Sequence, residues 1–226
     1  LNAIAAVDAT RGVCGTYQGK YATCYYTASN GGQTALAKDV LGTSGTEGYL
    51  ADTVFVGGGT PTALPPELLL RLIRGVRQNF RLTKGAEFTV EANPATVDTE
   101  LLRKLRRAGV NRLSMGLQSA NERELSVLGR IHRREDFAES FKAARKAKIQ
   151  NINVDLMFGI PHQTKASLFR SLEYAVRLDP EHISFYSLQV EEGTPIYEDI
   201  RFGRLDPLTD EEDRAMYHAG LTYLRE

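Results

Sequence analysis

The chain has 226 residues, 28 acidic and 28 basic side chains, 42% hydrophobic residues and two cysteines. This length allows one sizeable core, and the formal net charge of zero excludes the broad basic surface of a nucleic-acid-binding domain. We find neither an apolar run as long as a membrane helix nor a signal-peptide pattern, and two cysteines make no disulfide framework. We therefore expect a soluble cytoplasmic protein with no nucleic-acid partner and no transmembrane segment.

The first 50 residues differ in composition from the rest of the chain. They contain six Asp, Glu, Lys or Arg side chains, whereas the remaining 176 residues contain fifty. They are rich in Gly, Ala and Thr, which is typical of loops. We therefore expect residues 1–50 to be a diverged or altered segment and residues 51–226 to be the folded core.

Beyond Asp52, short apolar runs alternate with stretches of helical periodicity. Five of these runs have the length of buried parallel strands, and we predict strands at Thr53–Gly57, Glu87–Glu91, Arg112–Leu117, Asn153–Met157 and Ile183–Leu188. The predicted helices are Pro66–Phe80, Asp98–Ala108, Arg134–Lys148, Lys165–Leu178 and Asp210–Leu224, with Thr99 as a candidate cap of the second.

This alternating order predicts a parallel α/β sheet with right-handed crossovers. A weaker strand at Ala3–Val7 brings the total to about six, which is fewer than the eight of a complete barrel. The candidates are a three-quarter barrel with outer helices and a doubly wound sheet. The last helix runs up to the end of the chain, so we expect a further domain beyond Glu226.

Two strand ends carry groups suited to a polar ligand, and ligands of such sheets bind at the carboxyl ends of the strands. The first is Gly57-Gly58-Gly59-Thr60, where glycines let a ligand lie against backbone N–H groups; a tight turn is the alternative. The second is Glu91, which is placed either to accept a hydrogen bond from an amine or to cap the next helix.

Two further strands add an amide and an acid. Gln118 ends the fourth strand, counting Ala3–Val7 as the first, and Asp155 lies inside the apolar run of the fifth, where a carboxylate is costly unless it is paired. Arg130 follows at loop distance as a candidate partner of Asp155, and a solvated loop is the alternative for Arg130 and His132. Together these groups predict a site for a zwitterion with ribose hydroxyls.

Six segments resemble the radical S-adenosylmethionine (SAM) coproporphyrinogen oxidase family. They are FVGGGTP at 55–61, VEANP at 90–94, NRLSMGLQS at 111–119, LGRIH at 128–132, DLMFGIPHQT at 155–164 and EEGTP at 191–195. The pairing of Gln118-Ser119 with LGRIH is more similar to the HemW (haem chaperone) branch than to the true oxidase. The likeness extends over residues 52–226.

The resemblance implies a partial TIM-type barrel that binds SAM and a [4Fe–4S] cluster. It also implies a role in haem transfer or porphyrin metabolism, with an electron donor and a haem-acceptor protein as partners, and a C-terminal domain that this chain lacks. The residues that it assigns to SAM are Gly58, Gly59, Thr60, Glu91, Gln118, Arg130, Asp155 and Gln189.

The cluster segment departs from the family, which has Cys-x3-Cys-x2-Cys shortly after the first strand and holds the cluster through three thiolates. Only Cys14 and Cys24 are present, and each of two possible registers leaves two ligand positions without cysteine. Either residues 1–50 are altered sequence joined to a family core, or the protein has lost the cluster. In both cases we do not expect this chain to cleave SAM reductively without ligands from a partner.

Three alternative functions remain open. The first is a cluster-free module that binds SAM or haem. The second is an oxygen-independent coproporphyrinogen III dehydrogenase. A lyase or aldolase barrel that binds phosphate through GGGT is less well supported, because no strand end carries a lysine. His132 and His162 are candidate haem ligands, although loop histidines are more often solvated.

Overall fold

The computed structural model describes residues 15–17, 20–22 and 51–225. Gly15–Tyr17 (β1) and Lys20–Ala22 (β2) pair in antiparallel fashion. Residues 51–225 contain a five-stranded parallel sheet in the order β3-β4-β5-β6-β7. Its strands are Ala51–Val56 (β3), Leu82–Ala92 (β4), Arg112–Gln118 (β5), Asn151–Phe158 (β6) and His182–Ser187 (β7).

Helices follow the strands in alternation, as predicted. They are Pro66–Asn79 (α1), Thr99–Ala108 (α2), Glu122–Val127 (α3), Arg134–Lys146 (α4), Lys165–Arg177 (α5), Pro195–Arg201 (α6) and Asp210–Arg225 (α7), with a 3-10 turn at Pro61–Ala63. Five parallel strands with outer helices form a partial barrel, and this confirms the predicted fold class. The additional strand predicted at Ala3–Val7 lies outside the described residues.

The core lies between the sheet and the helices. Alternate residues of β5 and β6, such as Leu113, Met115, Ile152 and Val154, are fully buried, and they belong to the same cluster as the apolar faces of the helices. Side chains of a strand alternate between its two faces, so the residues between them point to the opposite, concave side of the sheet. Polar side chains occupy these positions, and the concave side is where the candidate site lies.

Two details of the helices differ from the sequence prediction: the cap of α2 and the presence of α3 and α6. Asp98, not Thr99, caps α2, because its carboxylate accepts a hydrogen bond from the N–H of Leu101 at 2.7 Å. Gly109 ends the helix in the left-handed conformation, with φ of 110°. The short helices α3 and α6 were not predicted, since six or seven residues are too few to establish a helical period.

No helix within the described residues combines the length and the apolar character that are needed to cross a membrane.

Candidate cofactor site at the carboxyl ends of the strands

The glycine turn after β3 has one crowded side and one open side. A Cβ atom on Gly57 would lie 2.8 Å from Cδ of Glu91, so the turn packs tightly against that carboxylate. Gly58 and Gly59 have φ of 89° and 70°, and a Cβ atom at either would meet nothing within 4 Å. Positive φ explains the glycines, and the open space beside them leaves room for a ligand.

Glu91, near the end of β4, is held against this turn. Its Oε2 accepts a hydrogen bond from the N–H of Gly58 at 3.1 Å. Partial burial raises the pKa of the Glu91 carboxyl, and the nearby charge of Asp155 raises it further, while the Gly58 hydrogen bond opposes both effects. A cationic group of a ligand would relieve the repulsion between the two acids.

Asp155 lies on the concave side of β6 and is bound by neutral donors. Its Oδ1 accepts from Nδ2 of Asn153 at 2.6 Å, and its Oδ2 accepts from Oγ of Ser114 at 3.4 Å. Burial raises the pKa of Asp155, while the hydrogen bonds from Asn153 and Ser114, the neighbouring Ser184 hydroxyl and the charge of Arg112 lower it. Arg112 on β5 acts on Asp155 only through its charge, and its Nη1 donates a hydrogen bond to Thr89 Oγ1 at 3.3 Å. The pairing of Arg130 with Asp155 stays a prediction.

Gln118 meets β7 through Tyr186. Gln118 is 4% exposed with φ of 64°, and its Oε1 accepts a hydrogen bond from the Tyr186 hydroxyl at 3.1 Å. Burial raises the pKa of Tyr186; the charges of Asp155 and Glu91 also raise it, and the Gln118 bond and the charge of Arg130 lower it. The Tyr186 hydroxyl is therefore bonded to Gln118, and the charges of Glu91 on β4, Asp155 on β6 and Arg130 in the loop after α3 act on it.

The remaining predicted residues lie at the margin of this cluster. Thr60 is half-buried and its carbonyl accepts from the N–H of Ala63 at 2.9 Å, which starts the 3-10 turn. Gln189 is exposed, just past the point where the Leu188 N–H bonds to the carbonyl of Phe158. Cys14 and Cys24 lie outside the described residues.

His132 is buried rather than solvated, which corrects the loop interpretation. It is 3% exposed, and its Nε2 lies 3.4 Å from the carbonyl oxygen of Leu117. Its Nδ1 is also buried and has no partner within the described part of the chain. Burial lowers the pKa of His132, so the neutral ring is favoured, and the enclosed ring is poorly placed to bind haem. His162 is exposed.

A second polar cluster lies beneath the end of β5. Glu124 is 2% exposed, and its carboxylate accepts hydrogen bonds from Ser119 Oγ at 2.6 Å, Gln163 Nε2 at 3.1 Å and Asn121 Nδ2 at 3.3 Å. Ser171 of α5 joins the cluster by accepting from the N–H of Ala120 at 3.0 Å. The cluster ties the residues after Gln118 to α3, to α5 and to the loop after β6.

Sequence reasoning missed the polar residues that support the site. These are Arg112, Ser114, Asn153, Ser184 and Tyr186, all on β5, β6 or β7. The available signal was that these polar residues occupy alternate positions along their strands. Alternate positions lie on one face of a strand, so the pattern indicates one polar face and one apolar face. It was overlooked because the strands were treated as continuous apolar runs.

The residues fit one of the two expected cofactors better than the other. Backbone amides, two acids, an amide and a phenol around open space suit the amine, carboxylate and hydroxyl groups of SAM. The described residues include no group of three or more His, Cys, Asp or Glu that could hold a metal. Because the whole chain has two cysteines, it cannot provide the three thiolates of a radical SAM cluster.

Comparison with known proteins defines the class. Residues 36–175 match the model of the radical SAM superfamily, and the chain belongs to that superfamily. Within it the chain is HemW-like. It is 43% identical over 166 residues to the haem chaperone HemW of Bacillus subtilis, covering 73% of this chain and 44% of that protein. It is 38% identical over 167 residues to HemW of Escherichia coli, covering 74% and 43%.

Among solved structures, the chain is similar to the radical SAM coproporphyrinogen III oxidase HemN of Escherichia coli. The TM-score is 0.67 at 26% identity, over 77% of this chain and 40% of that chain. These matches confirm the family resemblance found in the sequence. The chain spans less than half the length of the two HemW proteins.

Proposed function

We propose that the chain is the barrel part of a HemW-like radical SAM protein that binds SAM at the carboxyl ends of its strands and takes part in haem transfer. Membership of the superfamily supports the SAM ligand. The haem role, with its electron donor and haem-acceptor partners, is proposed from relatives that are named haem chaperones and are more than twice as long as the matched region.

The observation that carries the SAM proposal is the position of the Tyr186 hydroxyl. It bonds to Gln118 and lies in the electrostatic field of Glu91, Arg130 and Asp155, although these residues are spread over 65 sequence positions. Such convergence is what a single small ligand needs.

Each group has a proposed role. Gly58, Gly59 and Thr60 lie along the methionine part of SAM, and Glu91 orients its amine. Asp155 and Arg130 hold the ribose hydroxyls and the region of the methionine carboxylate. Gln118 and Gln189 complete the ligand shell.

Calorimetric titration with SAM, in the absence of iron, tests this proposal. We expect the unaltered chain to bind SAM. Glu91→Gln and Asp155→Asn should each weaken SAM binding about tenfold or more, since each variant removes a charge-assisted hydrogen bond. Glu100→Gln is the matched control, because Glu100 is exposed on α2 and pairs with Lys104 at 2.8 Å. Absence of SAM binding, or equal effects of all three variants, would contradict the proposal.

For residues 1–50 we propose an altered segment joined to a family core, supported by their low charge content and by the missing third cysteine. Sequencing the encoding DNA upstream of Asp52 tests this, and a gene that encodes Cys-x3-Cys-x2-Cys there would support it. Anaerobic reconstitution of the chain so encoded, with iron and sulfide, should then give the absorbance of a [4Fe–4S] cluster.

A cluster-free binding module is the second candidate, and the presence of only two cysteines favours it. If the encoding DNA gives the present residues 1–50, titrations with SAM and with haem decide between ligands. Binding of SAM or haem in the absence of iron supports the cluster-free module. If neither ligand binds, this second candidate is excluded.

A further inference from the structure

Asn153 is the centre of a hydrogen-bonded row along the concave side of the sheet. It is 1% exposed on β6. Its Nδ2 donates to Asp155 Oδ1 at 2.6 Å and to Ser114 Oγ at 2.8 Å, and its Oδ1 accepts from Ser184 Oγ at 3.0 Å and contacts Nδ1 of His182. All four hydrogen-bonding positions of the amide are therefore engaged.

The orientation of this amide follows from its partners. A carboxylate only accepts, so the NH₂ group of Asn153 must face Asp155. The hydroxyl of Ser184 donates to the opposite side, and the protonated Nδ1 of His182 can do the same. A flipped amide would turn its oxygen towards the carboxylate and lose these bonds.

The same contacts separate the two oxygens of Asp155. Oδ1 is bound by Asn153 at 2.6 Å, whereas Oδ2 has a long contact of 3.4 Å with Ser114. Oδ2 is therefore the oxygen that is better placed to accept from the hydroxyls of a ligand, and the direction in which it points depends on the bond at Oδ1.

We propose that Asn153 is a positioning residue for Asp155: its amide N–H donates to Oδ1, which stabilises the carboxylate form, and so turns Oδ2 towards the ribose of SAM. The inference rests on the proposed SAM site and adds to it a residue that makes no contact with the ligand.

The charges around Asp155 make such support necessary. Glu91 on β4 repels it, and Arg112 on β5 attracts it. His182 and Tyr186 face the same row from β7. Burial favours the protonated acid, and Asn153 is the largest of the influences that oppose burial.

Carboxyl ¹³C NMR of the apo chain, labelled at aspartate Cγ, tests the first half of the proposal. We expect Asn153→Ala to raise the pH at which Asp155 titrates, with the Asp155 signal assigned from Asp155→Asn. If Asn153→Ala is poorly folded, Asn153→Ser serves as the test in its place. Serine keeps a small polar group but cannot reach both Asp155 and Ser114, so it should also raise the pH at which Asp155 titrates. Asn79→Ala is the control, since Asn79 is exposed and its Nδ2 donates to the carbonyl of Gly75 at 2.8 Å.

Titration with SAM from pH 6 to pH 9 tests the second half. We expect Asn153→Ala to bind SAM about tenfold more weakly at pH 7 and to recover part of the loss as the pH rises through the shifted titration of Asp155. An unchanged Asp155 titration, or a loss of affinity that is equal at every pH, would overturn the proposal. If the unaltered chain binds no SAM, the proposed function fails, and the NMR titration still decides whether Asn153 acts on Asp155.

Discussion

At the scale of single residues, Asp155 shows how a binding site opposes stability. Burial raises its pKa in the folded chain. An acid whose pKa is higher in the folded state contributes its full stabilisation below the unfolded pKa, and that contribution is lost as the pH rises through the folded pKa. Ionised Asp155 therefore lowers the stability of the chain at neutral and alkaline pH.

We predict that Asp155→Asn raises the melting temperature by about 2 °C at pH 8, because a neutral amide is less costly to bury. The gain should shrink towards pH 4, where the acid of the unaltered chain is protonated. Calorimetric melting across this range checks the prediction, with the exposed Asp206→Asn as control. A gain that does not depend on pH, or a loss at pH 8, would contradict it.

Residue identity revealed some members of the site and concealed others. Asp155 was conspicuous because an acid within an apolar run needs an explanation. Asn153, Ser184 and Tyr186 are ordinary strand residues by themselves, and their role depends on the register that aligns Asp155 with Ser184 across β6 and β7. For His132, sequence alone leaves a haem ligand or, more often, a solvated loop residue, because burial of a loop histidine depends on the fold.

At the scale of elements, the turn after β3 couples the backbone to Glu91. Gly57→Ala is sterically allowed for the backbone, but the new methyl group would approach Glu91 and Phe55 within 2.8 Å. We predict that this variant displaces the Glu91 carboxylate and weakens SAM binding about tenfold in a calorimetric titration, while the chain stays folded. Gly75→Ala, in the open interior of α1, should leave SAM binding unchanged and stabilise the chain by up to about 1 kcal/mol. Equal SAM affinities of the two variants would disprove the coupling.

The buried cluster around Glu124 joins β5, α3, α5 and the loop after β6. We predict that Glu124→Ala lowers the free energy of unfolding by about 3 kcal/mol, because buried donors from Ser119 and Gln163 lose their acceptor. Urea unfolding measures this, and the exposed Glu100→Ala should cost less than about 1 kcal/mol. If Glu124→Ala lowers the free energy of unfolding no more than Glu100→Ala does, the prediction is wrong, and water takes the place of the carboxylate as the acceptor.

Longer elements were predictable and shorter ones were not. Periodicity located α1, α2, α4, α5 and α7 to within about two residues. The first four bury several residues of one face each, whereas α7 buries only Met216 and Gly220. The strand β4 extends over eleven residues although only five were predicted, because its first half, from Leu82, is half exposed and includes Lys84 and Gly85. Polar residues within a strand hide its true length.

At the scale of the whole molecule, alternation of elements was enough to predict a parallel sheet and the edge at which ligands bind. That rule alone predicts that Glu91, Gln118 and Asp155 share one edge of the sheet. The Tyr186 hydroxyl bonds to Gln118, and the charge of Asp155 raises the pKa of both Glu91 and Tyr186. The hydrogen bonds between neighbouring strands could not be predicted, because they depend on twist and register. The missing third cysteine was evident from the sequence, and the part of the chain that the structure describes has no group of three or more His, Cys, Asp or Glu that could replace it.

The account is tested most directly by determining the structure of the chain with SAM bound. We predict that the methionine part lies along Gly58 and Gly59, with its amine near Glu91, and that a ribose hydroxyl donates to Oδ2 of Asp155. SAM bound on another surface, with the concave side of the sheet unchanged, would contradict the central claim.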